Sequence, residues 1–143
     1  MKCKVIVSNS SFINNTANND GIMLASDSGS FVLDNSNFSD NVAGHDGGVV
    51  YVYNNSTAVI NGCNFTGNRA NNSGGVVYVR KHSTITVNNS NIHNSTAESS
   101  GGAVSAQSDC NVTVEASNLS GNTADYGGAV SYTHLTLPTI YSV

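Results

Sequence analysis

The stretch Phe65-Thr66-Gly67-Asn68-Arg69-Ala70-Asn71-Asn72-Ser73-Gly74-Gly75-Val76-Val77-Tyr78-Val79 holds, in order, an apolar anchor, an asparagine, an alanine, a glycine pair and a run of strand formers. The same order recurs in both directions along the chain. Phe12, Phe38, Phe65, Ile92 and Leu119 stand 26, 27, 27 and 27 residues apart. Three residues after each comes Asn15, Asn41, Asn68, Ser95 or Asn122, and two further on Ala17, Ala43, Ala70, Ala97 or Ala124. Gly47-Gly48, Gly74-Gly75, Gly101-Gly102 and Gly127-Gly128 follow, with Asp20-Gly21 read as their counterpart in the first copy. Self-similarity at a fixed period of this size marks a repeat architecture.

Each copy adds an alternating stretch ahead of the next anchor: Phe31 and Leu33, Ala58 and Ile60, Ile85 and Val87, Val112 and Val114. A copy thus holds three short segments of period two, separated by Gly, Asn and Ser turns and too short for helices. Such a unit cannot bury its apolar face alone. Coiling copies on one another pairs each segment with its equivalent about 4.8 Å away and closes an interior lined by the aligned columns. The expected fold is all-β: a right-handed parallel β-helix solenoid of about five coils, the hand following from strand-crossover chirality. A leucine-rich repeat shares the period but needs a dense leucine framework, and the chain has only Leu24, Leu33, Leu119, Leu135 and Leu137. In this reading the asparagine column occupies left-handed turn positions and stacks its amides, the alanine column lines a corner, and the glycines allow positive φ.

Composition agrees. Of 143 residues, 10% are charged and 38% hydrophobic, with one proline, Pro138, and no tryptophan. A soluble domain typically carries about 25% charged residues. A net charge of -4 with scattered bases offers nothing to a nucleic-acid backbone. No apolar run approaches the roughly 20 residues that span a bilayer as a helix. Met1-Lys2-Cys3-Lys4 passes directly into Val5-Ile6-Val7, already inside a repeat, so Met1 reads as a position internal to a longer array.

Phe-x-x-Asn (Phe12 with Asn15, Phe38 with Asn41, Phe65 with Asn68), followed by Gly47-Gly48-Val49-Val50, Gly74-Gly75-Val76-Val77, Gly101-Gly102-Ala103-Val104 and Gly127-Gly128-Ala129-Val130, resembles the paired signature repeats of polymorphic outer membrane proteins. The resemblance runs through residues 1–130. It implies a β-helical autotransporter passenger of the pectin-lyase-like superfamily, displayed at the cell surface or secreted and adhesin-like, with a host-cell protein or glycan as partner. Ile92, Leu119 and Ser95 depart from the motif. Residues 131–143 leave the pattern. Val130-Ser131-Tyr132-Thr133-His134-Leu135-Thr136-Leu137-Pro138-Thr139 resembles the translation of a transposase adapter used in sequencing libraries, so this tail is expected to be an artefact on a truncated reading frame, the alternative being a capping segment.

Parallel β-helices also host polysaccharide lyases and hydrolases, so the polar columns need testing for chemistry. Asp34, Asn61, Asn88 and Glu115 share an outward column, but three coils, roughly 14 Å by the strand spacing, separate the two acids. They are too far apart for paired acid catalysis. Asp20 and Asp46 lie beside the glycine turns, one position out of register in this alignment, and read as turn residues, the alternative being a weak calcium site. His45, His82 and His93 fall in different columns and predict no metal cluster and no catalytic triad. Tyr51 and Tyr78, beside Arg80, Lys81 and His82, read either as a contact face or as a cross-strand aromatic ladder. Cys3 and Cys110 share a column about 19 Å apart, and Cys63 stands in another, so no intrachain disulfide is expected. The sequons Asn9-Ser10-Ser11, Asn64-Phe65-Thr66 and Asn118-Leu119-Ser120 follow from the Asn and Ser content. These readings make the chain a non-enzymatic segment without cofactor or metal, the alternative being a piece of a β-helical polysaccharide lyase or hydrolase whose active site lies in other coils.

Overall fold

The computed structural model describes residues 2–133 and the backbone of residues 139 and 140. Among the described residues every regular element is a strand, and all strands pair in parallel with the equivalent strand one coil away. The result is a β-solenoid of about five coils. Four sheets of six, five, four and five strands run along it. The third coil shows the plan: Thr57–Asn61, Asn64–Thr66, Arg69–Ala70 and Val77–Arg80. Three segments were expected; the fourth is the two-residue strand that carries the alanine column, too short to show an alternation. Among the described residues no helix is long and apolar enough to cross a membrane.

The interior is built from the expected columns. Along Thr57–Asn61 and Thr84–Asn88 alternate residues point inward, which leaves Ala58, Ile60, Ile85 and Val87 buried. Phe12, Phe38 and Phe65 stack along the axis, with ring centroids 5.1 and 4.8 Å apart. Each such ring, once enclosed, stabilises by about 2–3 kcal/mol through burial.

The asparagine column corrects its sequence reading. The left-handed residue is the one before it: Asn14, Asp40, Gly67, Asn94 and Gly121 have φ between 51° and 64°. Asn41 and Asn68 are buried and satisfy backbone groups at the corner. Asn68 Oδ1 accepts from the Asn41 backbone N–H and from Asn41 Nδ2, both at 3.0 Å, while Asn68 Nδ2 donates to Phe38 O at 2.9 Å. Asn41 repeats this one coil earlier toward Asn15 and Phe12. At the break, Ser95 turns its hydroxyl to His93 O of its own coil. A buried donor without a partner is costly, so this corner selects an amide.

A serine ladder escaped the sequence reading. Ser36, Ser90 and Ser117 are buried, and their hydroxyls accept from the backbone N–H groups of Ser10, Cys63 and Ser90, each at 3.1 Å. Cys63 stands in this column and Cys110 in a similar one, where Ser83 Oγ accepts from the Ser56 N–H. All three cysteines are free thiols, and burial pushes those of Cys63 and Cys110 up.

Within the glycine pairs the two members do different work. The first, as in Gly47, Gly74, Gly101 and Gly127, has φ between 61° and 69°. The second has ordinary φ but no room: a Cβ on Gly48 or Gly75 would lie 2.0 Å from the carbonyl oxygen of Gly75 or Gly102 in the next coil. Past the last glycines, Val130–Thr133 pairs with Val104–Gln107, and Thr139–Ile140 pairs with residues 113 and 114. The remaining tail positions assigned to an adapter lie outside the described residues.

Candidate functional site

Tyr51 and Tyr78 occupy facing rungs of the fourth sheet, with rings stacked 5.4 Å apart. They are only 7% and 3% exposed, because each lies across the first glycine of the preceding coil: Gly21 beneath Tyr51 and Gly47 beneath Tyr78. Burial pushes both phenols up, opposed at Tyr51 by the hydrogen-bonded Arg80. Of the two sequence readings, the ladder describes this pair. Tyr53 is more open, but Lys81 Nζ sits 4.9 Å from its ring centroid and 3.0 Å from its hydroxyl, and Arg80 lies 5.8 Å from the same ring. The bases therefore cover the aromatic surface that a ligand would use.

Beside these tyrosines, the glycine turns of the first two coils bring three ligand-type side chains together. Asp20 and Asp46 prove to be in register, contrary to the sequence alignment. Gly21 N–H donates to Asp46 O at 3.0 Å and Asp46 N–H to Asp20 Oδ1 at 3.1 Å. The counterpart of Gly47 is Gly21, and the residue that the first coil lacks falls just after it, since Met23 already pairs with Val50. His45 Nδ1 lies 2.9 Å from Asp46 Oδ2 and 3.5 Å from Asp20 Oδ1. One ligand atom from each of Asp20, His45 and Asp46 lies within 4.8 Å of the other two. Asp46 is 4% exposed, and its other oxygen accepts from Ser73 N–H and Asn72 Nδ2. No sequence pattern shows this group, because its residues come from two coils and His45 has no equivalent in other copies. His93 bonds Ser120 at 2.6 Å, and His82 is exposed.

The outward column of Asp34, Asn61, Asn88 and Glu115 is confirmed as a register. It is an amide ladder with a direction: Asn88 Nδ2 donates to Asn61 Oδ1 at 3.1 Å and Asn61 Nδ2 to Asp34 Oδ1 at 2.8 Å. Asn88 Oδ1 is left buried without a partner among the described residues, and the next rung offers it the acceptor-only Glu115. Replacing that acid by an amide extends the ladder. Glu115→Asn is expected to raise stability by about 1 kcal/mol, read as a higher urea midpoint, whereas Glu115→Ala gives no such gain.

Residues 62–80, the span that holds Phe65, Asn68, Ala70 and the Gly74-Gly75 pair, match the family model of the Chlamydia polymorphic membrane protein (Chlamydia_PMP) repeat. Comparison with curated proteins and with solved structures finds no match. The matched span covers most of one coil, from the turn before Phe65 to the end of the Val77–Arg80 strand, and neighbouring coils repeat its columns in register. The chain is a β-solenoid in which residues 62–80 match the polymorphic membrane protein repeat model.

Proposed function

We propose that this chain is a stretch of a surface-displayed β-helical protein, adhesin-like and non-enzymatic, that presents its coil faces to a host-cell protein or glycan. The observation that carries the reading is the family match on one coil within an array whose other coils share its columns. The polar side chains support it. Many, such as Asn41, Asn68 and Ser90, belong to coil-to-coil ladders that hold the solenoid together, and the two acids of the outward column stand at opposite ends of an amide ladder rather than facing a common substrate. Function must come from a site grafted on the fold, and extended solenoid faces favour contact over chemistry. The test is binding of the full-length protein to cultured host cells and to an immobilised glycan panel. Saturable binding that weakens when whole coils are deleted is expected; no binding to either would refute the assignment.

A further inference from the structure

We propose that Asp20, His45 and Asp46 form a binding site for a divalent transition-metal ion of the zinc class. Asp20 and Asp46 stand on adjacent rungs with their carboxylates on one side of the glycine turn. Asp46 is anchored: its side chain is 5% exposed, Oδ1 is held by Ser73 N–H at 2.9 Å and Asn72 Nδ2 at 2.8 Å, and Oδ2 is turned toward His45. Those neutral donors position the buried carboxylate but do not neutralise it. Asp20 is 32% exposed on the other side of the imidazole. Metal bonds of about 2.0 Å in a tetrahedron put ligand atoms about 3.3 Å apart. The distances from His45 Nδ1, 2.9 Å to Asp46 and 3.5 Å to Asp20, lie on either side of that value. The third edge, between the two carboxylates, lies within 4.8 Å, and rotation of the half-buried Asp20 and the exposed His45 side chains would bring the three ligand atoms together on an ion.

Charge and ligand type point the same way. Two carboxylates and a neutral imidazole present a charge of -2, matched by a divalent ion. A nitrogen ligand favours zinc, cobalt or nickel over calcium and magnesium, which take oxygen. His45 is 62% exposed, which leaves the ion accessible and coordination positions open to water. The site is also a departure from the repeat. Where the first two coils place Asp20 and Asp46, the next two place Ser73 and Ser100, and the column of His45 holds Asn19, Asn72 and Ser99. These columns carry ordinary turn residues in later coils and acquire ligand residues only where three can meet.

The experiment is calorimetric titration of the metal-free 143-residue chain with zinc chloride, paralleled by cobalt chloride read in the visible spectrum. One zinc ion per chain and a raised Tm are expected, with calcium chloride giving neither. Asp20→Asn, at a half-buried side chain, and His45→Ala, at an exposed one, should each weaken zinc binding by more than about tenfold, while His93→Ala leaves it unchanged. Cobalt should give the intense visible bands of a tetrahedral site, lost in His45→Ala. Absence of zinc binding by the unaltered chain, or equal binding by His45→Ala and Asp20→Asn, overturns the proposal. Asp46→Asn is the less informative change because the anchored carboxylate also supports the fold.

Discussion

Gly75→Ala should destabilise the solenoid by about 4 kcal/mol or more, placing it among the most damaging single substitutions a domain tolerates. Backbone dihedrals do not cause this, since Gly75 lies outside the left-handed region. The added methyl would meet the Gly102 carbonyl oxygen at 2.0 Å and the Thr96 backbone N and O at 2.9 Å. These are backbone atoms of the next coil, fixed by parallel pairing on both sides, so no side-chain rotation can clear the contact. Gly128→Ala is the matched control: the nearest atom to its added methyl is Asn122 O at 3.1 Å. Equilibrium urea denaturation of the two variants checks the result. A loss at Gly75 below about 1 kcal/mol would mean that the coils do not approach this closely.

The second large effect is expected at Asn68. Truncation to alanine removes three buried hydrogen bonds at once: the one from the Asn41 N–H, the one from the Asn41 amide, which keeps its bond to Phe12 O, and the one to the Phe38 carbonyl. With about 1–3 kcal/mol for each group that stays unsatisfied, a loss of about 3–5 kcal/mol follows. Asn68→Asp separates shape from hydrogen bonding. It keeps the acceptor toward Asn41 but loses the donor to Phe38 and buries a charge, so its carboxyl is expected to titrate higher in the folded state than in the unfolded chain. A raised folded pKa means that the folded state holds the proton more tightly, so this variant gains stability as pH falls and loses it as pH rises. Denaturation midpoints at pH 4 and pH 7 check the sign; the unaltered asparagine brings no such dependence at this position.

Much of this molecule was legible in its sequence because a solenoid writes its contacts at a constant separation. Residues paired in register across coils are 26 or 27 apart, so the columns of Phe65, Asn68, Ala70 and Gly74 are also spatial stacks. What escaped follows from the same fact. The column spacing shows that an interval is one residue short but not where the residue is missing, and placing the gap before Asp20 instead of after Gly21 separated Asp20 from Asp46. The strand at Arg69–Ala70 is too short for periodicity. The left-handed position before Asn68 is filled by Asn, Asp or Gly in different coils, so it forms no single-residue column. The serine ladder was hidden by abundance, since serine fills ordinary turns as well. The Asp20, His45 and Asp46 group is a property of two coils, and repetition cannot announce what occurs once.

Because every strand of the described array bonds only to the coil before and the coil after, a coil's neighbours present the same edge to each other that they present to it. Excision of one period, for example by joining residue 72 directly to residue 100, leaves the Asn37–Ser39 strand next to a hybrid coil of the same length that keeps Asn68 at its corner. Stacked cores of this kind lose one nearest-neighbour interface in such an event, with no global rearrangement. Unequal recombination within the gene would therefore yield products that differ in length yet still fold, and a solenoid built this way can change its length in steps of about 4.8 Å.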